Sequence, residues 1–142
     1  MRRGVTLLEL AMVLTIVGVL SAMAFPRAAR WLDAIAVSRA AGEIASFYQT
    51  ARFKAIFRSQ RVRLEFGQDT LRAVFEGPSD SVFLKWPGPA RHGVSLVATR
   101  PVIRIQPNGL GLGAANTKVV LKKGMAAESV TTSRVGRLKR WR

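Results

Sequence analysis

From Val5 to Phe25 the chain reads VTLLELAMVLTIVGVLSAMAF, 21 residues with a single charge, Glu9. As a helix this run is about 31 Å long, enough to cross the hydrocarbon core of a bilayer. It divides the 142-residue chain into an anchor and a remainder of about 117 residues, the size of one modest domain. A carboxylate at membrane depth costs a few kcal/mol, so one is kept there only for a task. The role of Glu9 is therefore the first question the sequence poses.

Charge is the second constraint. The formal net charge is +15, from 23 Lys and Arg against 8 Asp and Glu. Residues 1–84 hold 11 basic and 7 acidic side chains, whereas residues 85–142 hold 12 basic and 1 acidic. Such a field favours phosphate-rich or anionic-membrane partners, or it is a solvated basic surface. The chain has no cysteine, which excludes disulfide scaffolds and thiolate metal sites. Its one histidine, His92, lies in the loop-like PGPARHG and reads as an ordinary surface residue. No Ser-His-acid set, phosphate-cradling glycine loop or carboxylate pair stands out, so no cofactor or metal is expected and catalysis is the least supported function.

Three readings compete for the N-terminus. An ordinary membrane anchor leaves Glu9 unexplained. A cleaved secretory signal would use Arg2 and Arg3 as its basic start, Leu10–Leu20 as its apolar core and Ala22-Met23-Ala24 as its cleavage site. Glu9 would then stand in the basic region, where a negative charge is unhelpful. The third reading rests on Arg3-Gly4-Val5-Thr6-Leu7-Leu8-Glu9 followed by an unbroken apolar run. This resembles the class III leader of type IV pilins and type II secretion pseudopilins.

The resemblance implies that prepilin peptidase cuts after Gly4 and methylates Val5, the first mature residue. Glu9 is then the fifth mature residue, where the family places its glutamate. Val5 stands where the family most often has Phe, a small departure. Pro26 matches the proline that bends the family's long helix just past the membrane. In a fibre of packed helices, Glu9 of one subunit would meet the Val5 amine of a neighbour, and a paired buried charge fixes register where an unpaired one is expensive. Arg27 and Arg30 flank the far side of the span as densely as Arg2 and Arg3 flank the near side. Charge bias is thus neutral on orientation, and only the resemblance places the C-terminal part outside.

Residues 27–58 read as an amphipathic helix. Val37, Ala40, Ala41, Ile44, Phe47, Tyr48, Ala51 and Ala55 recur at spacings of three and four, with Arg39, Glu43, Ser46, Thr50 and Lys54 opposite. An Arg39–Glu43 pair is expected on that outer face. After Gln60 the period becomes two, as in Val62, Leu64 and Phe66. Gly67–Thr70 is turn-like, and Leu71–Phe75 is a second strand. Further strands are expected at Val82–Trp86, Val94–Ala98, Val102–Gln106, Lys118–Lys122, Val130–Val135 and Leu138–Trp141, interrupted by Pro87-Gly88-Pro89 and by the loop PNGLGLGAAN. One helix followed by short strands argues an α+β fold with antiparallel sheet on the helix.

The run VIRIQPNGLGLG and the later VTTSRVGRLKR resemble the GspH/FimT family of minor pseudopilins and minor pilins. In that family an apolar strand leads into a Pro-Asn-Gly loop, and a Ser/Thr-rich strand ends in a Gly-Arg element. The resemblance implies a leader at residues 1–4, a transmembrane and fibre-core helix at 5–25, and a periplasmic pilin-like domain at 26–142. Partners would be other pilins or pseudopilins, prepilin peptidase, the bacterial inner membrane, and an exported protein or DNA.

The basic end is the last feature. Arg134, Arg137, Lys139, Arg140 and Arg142 fall within nine residues that contain no acid, with Trp141 among them. These six residues are the candidate DNA contacts. Minor pilins of the FimT type that take up DNA carry Gly-Arg-x-Arg; Gly136-Arg137-Leu138-Lys139 differs at its last position, where Lys lacks the two-pronged phosphate grip of Arg. On a strand, Arg137 and Lys139 share one face, and Trp141 offers a ring for stacking. The competing reading is a solvated basic strand, or one paired with acidic neighbours in a fibre. Protein secretion as a pseudopilin is the leading function, DNA capture for transformation the alternative, and a secreted basic domain starting at Phe25 the third.

Overall fold

The computed structural model describes residues 6–113 and 115–141. Among these residues one α-helix, α1 (Leu7–Arg58), precedes eight strands: β1 (Val62–Phe66), β2 (Thr70–Phe75), β3 (Ser81–Pro87), β4 (Ser95–Ala98), β5 (Val102–Ile105), β6 (Thr117–Lys123), β7 (Ala126–Thr132) and β8 (Leu138–Trp141). The chain divides into two compact units, Met1–Leu32 and Asp33–Arg142.

In the first unit, Thr6 begins the helix. Its Oγ1 accepts the Glu9 backbone N–H at 3.2 Å, satisfying one of the donors that the first helical turn leaves free. Pro26 lies inside α1 and supplies no N–H of its own, and Arg30 Nε donates to the Pro26 carbonyl at 3.3 Å.

In the second unit, the buried residues of α1 are Val37, Ala40, Ala41, Ile44, Phe47, Tyr48, Ala51 and Ala55, the stripe the periodicity selects. Four of these are alanines, which let the strands lie close to the helix. The strands form two four-stranded antiparallel sheets, ordered β3-β2-β1-β5 and β4-β6-β7-β8. The single sheet read from sequence is therefore two. One core joins them to the helix. Phe47 meets the rings of Phe66 and Trp86, with centroids 6.2 and 5.9 Å away, and Leu121 and Val130 enter the same cluster from the second sheet. Each fully buried side chain of this size contributes about 1.5–3 kcal/mol.

Three further expectations are corrected. The seventh strand runs Ala126–Thr132 rather than Val130–Val135. A tight hairpin at Gly124-Met125, with Gly124 at φ 54°, starts it early; a turn in which Gly136 N–H donates to Ser133 O at 2.9 Å ends it early. Alanines at 126 and 127 concealed the beginning, because they lack strand preference. Glu43 does not pair with Arg39. It reaches Arg91 and His92 of the 3-10 turn Pro89–His92, with His92 Nε2 at 3.0 Å. His92 is accordingly a contact between helix and loop, its side chain only 21% exposed, and not a free surface residue.

Candidate functional site

Two features carry chemistry that the core does not need. The first is the apolar half of α1. Every large hydrophobic side chain from Leu7 to Phe25 is at least half exposed, from 51% at Val13 to 86% at Leu7. Glu9 is exposed in the first turn of this stretch, and Pro26 stands at its far end. The helix is long and apolar enough to cross a membrane. Gly4 and Val5, the expected processing site, lie outside the described residues.

The second feature is the outer face of the sheet β4-β6-β7-β8. Strand alternation and register decide which side chains meet there. Lys118 of β6 pairs with Thr131 of β7, which pairs with Lys139 of β8; Thr99 N–H bonds the Lys118 carbonyl from the opposite side. These residues and Arg137 line an open concavity of about 500 Å³ rich in hydroxyls. The next row along the sheet is Val120, Ser129 and Trp141, which line a neighbouring hollow of about 490 Å³. Among the described residues, none of Lys118, Arg137 and Lys139 takes part in an ion pair. Trp141 is half exposed; Lys139 Nζ sits 3.6 Å from its ring centroid, and its Nε1–H donates to Thr131 Oγ1 at 3.3 Å.

The candidate basic residues thus divide. Arg137, Lys139 and Trp141 belong to the outer face. Arg134 is exposed on the preceding turn, its N–H bonded to Asn116 Oδ1 at 2.6 Å. Arg140 belongs to the opposite face, in the row of buried Val130. Its Nη2 lies 2.6 Å from Glu128 Oε1 and also donates to the Ser38 carbonyl and Oγ of α1, both at 3.1 Å. Arg142 lies outside the described residues. Sequence reading missed Lys118, which only the sheet register brings beside Lys139. It also missed Glu128, the single acid after residue 84, which holds Arg140 inward.

The two loops behind this face share an anchor on α1. Arg52 Nε donates to the Gly109 carbonyl at 2.9 Å. A Cβ on Gly136 would fall 2.5 Å from the same nitrogen, and one on Gly109 2.7 Å from Ile56 Cδ1. Both glycines have φ of 78°. The Pro-Asn-Gly loop and the Gly-Arg turn therefore need glycine for backbone sign and for room.

Electrostatics reinforce the helix contact at Glu43. Burial works against its charge, but hydrogen bonds from Arg91 and His92 and their positive charge together outweigh this and hold its carboxyl below the ordinary value of 4.5. Burial raises the Tyr48 phenol above its ordinary value of 10.0.

The family profile described as type II transport protein GspH matches residues 40–136, from the buried stripe of α1 to the glycine of the Gly-Arg turn. The chain belongs to the GspH family. A second profile, the prokaryotic N-terminal methylation motif, matches residues 1–25. In fold, this GspH-family chain is similar to the type IV minor pilin FimU of Pseudomonas aeruginosa, with a TM-score of 0.63 at 14% identity over 72% of this chain and 86% of that one. It is also similar to EpsH, a minor pseudopilin from the type 2 secretion system of Vibrio cholerae, with a TM-score of 0.59 at 12% identity over 74% of this chain and 95% of that one. No curated protein matches it in sequence. The α+β fold is that of the pilins, and the bare helix with its methylation motif marks a membrane-anchored member of this class.

Proposed function

We propose that this GspH-family chain is a minor pseudopilin subunit of a type II secretion fibre. It enters the inner membrane as a single-pass precursor with the domain after Pro26 in the periplasm. Prepilin peptidase cuts it between Gly4 and Val5 and methylates Val5. Its work is structural and not catalytic: other pseudopilins pack against Leu7–Phe25, and Glu9 fixes their register by meeting the Val5 amine of a neighbour. The observation that carries this reading is the exposed apolar stretch bearing one carboxylate, in a chain of the GspH family. Lipid before assembly, and neighbouring helices after it, would each cover that surface. Mass spectrometry of the native product should give N-methylated Val5 as the first residue. A start at Phe25 would instead support a released secreted domain.

A second reading is favoured by one observation, the three cations around the hydroxyl-lined concavity that form no ion pair among the described residues. On this reading the chain is a minor pilin that holds DNA for transformation, through phosphates at Lys118, Arg137 and Lys139 and a base on Trp141. The fragment 27–142 keeps the whole buried core, which begins at Val37, and suits a mobility-shift assay. If these three cations neutralise three phosphates, log K against log salt should fall with a slope of about −2 to −3. A flat salt response, or binding unchanged by Lys118→Ala with Arg137→Ala and Lys139→Ala, would exclude it.

A further inference from the structure

At the C-terminal end of α1, Phe53 and Phe57 stack with centroids 6.0 Å apart and planes 17° from parallel, yet they are 63% and 70% exposed. Ile56, 45% exposed, lies beside them against the Pro-Asn-Gly loop, and Leu110 of that loop is exposed as well. Neither ring belongs to the core cluster, and both stand apart from the concavity on the second sheet. Lys54 and Arg58 directly follow the two phenylalanines on α1 and Arg61 stands three residues past the helix end; all three are exposed, and none forms an ion pair among the described residues. From Ile44 to Leu64 the chain has no acidic residue.

We propose that this aromatic pair and its cationic rim form a docking site for an acidic, amphipathic segment of another protein. An apolar side chain of the partner would seat on the Phe53 and Phe57 rings, and flanking carboxylates would meet Lys54, Arg58 and Arg61. Exposed aromatics with exposed cations next to them in the chain have the composition of an interface centre with its rim. Charge decides the partner. A second copy carries the same cations to the contact and a net charge of +15, so self-association is opposed. A lipid surface also bears negative charge, but bilayer binding of a helix draws on a long amphipathic face, whereas this patch is about two helical turns. The site does not depend on the secretion reading, since any fibre or partner of either function could supply the segment.

The test is photocrosslinking in the full-length chain in its own cells, with p-benzoyl-phenylalanine replacing Phe57. The expected result is an adduct whose mapped peptide, from a different protein, is net negative and carries apolar residues. Its yield should fall about tenfold or more when Lys54→Glu, Arg58→Glu and Arg61→Glu are combined, because each reversal turns attraction into repulsion. It should be unaffected by Arg137→Ala with Lys139→Ala. An adduct to lipid, to a second copy or to a neutral or basic peptide would overturn the proposal. So would the absence of an adduct, or one that survives charge reversal. Mass analysis of the N-terminus in the same cells reports processing separately, so failure of the docking site and failure of the pseudopilin reading are distinguishable.

Discussion

Replacing Arg140 by alanine tests whether this residue belongs to the fold or to the basic surface. Its guanidinium bonds Glu128, whose side chain is 4% exposed, and reaches Ser38 on α1 through two further hydrogen bonds. Removing it leaves a buried carboxylate with no counter-charge, a loss of about 3–5 kcal/mol where both partners are fully buried. Arg140 is itself 36% exposed, so water reaches the gap and the expected loss is nearer about 2–3 kcal/mol. For a unit of this size that lowers Tm by about 10 °C or more. Urea unfolding of the 27–142 fragment, followed by circular dichroism, measures the loss directly. Glu128→Gln in the Arg140→Ala background should restore part of it, because a neutral amide tolerates burial better than a stranded charge. A loss below about 0.5 kcal/mol, typical of surface substitutions, would refute the reasoning. Equal losses with and without Glu128→Gln would do so as well.

Gly136→Ala should destabilise the same fragment by about 1–3 kcal/mol, since it forces a left-handed backbone on a residue with Cβ and drives that atom into Arg52; a melting curve matching the parent would contradict this. The Glu43 contact should help stability by about 1 kcal/mol at neutral pH. Because its folded pKa lies below the ordinary 4.5, that help is present above about pH 4.5 and fades as the pH falls through the lowered value. Denaturant midpoints from pH 7 to 3 should therefore converge with those of Glu43→Gln at the acid end. On the proposed pairing with a neighbour's Val5 amine, Glu9→Leu should leave membrane insertion intact and reduce recovery in sheared fibres by about tenfold or more, since the amine would be left buried without its partner; normal incorporation would remove the assembly role.

Residues whose partners lie close in sequence were legible before the fold was known. The eight-residue stripe of α1 follows from spacing alone, and the β1–β2 hairpin from alternation around Gly67–Thr70, where Phe66 pairs with Leu71. The apolar run and Glu9 needed no fold at all. Illegible were the contacts set by sheet order and loop path. Glu43 finds Arg91 and His92, more than 45 positions away, in preference to Arg39 one helical turn back. Lys118 finds Lys139 only because β7 lies between their strands. The early start of β7 was hidden by Ala126 and Ala127, which are strand residues by pairing and not by preference.

Strand alternation also accounts for the charge of the outer face. Residues 85–142 contain one acid, and it stands at an inward position, in the strand where Glu128, Val130 and Thr132 are buried. Arg140 is drawn to the same side, so the one acidic neutralising group of this half is confined to the interior with a single cation. Lys118, Lys122 and Lys139 are left on the other side with hydroxyls and small residues for neighbours. A slip of one residue in β7 would turn Glu128 outward among these lysines and turn Val130 and Thr132 out of the core. The hydrophobic register that holds the second sheet on α1 is therefore also what keeps the one acid of this half off its outer face. Loss of that register would be read at once in stability and in any binding of anions.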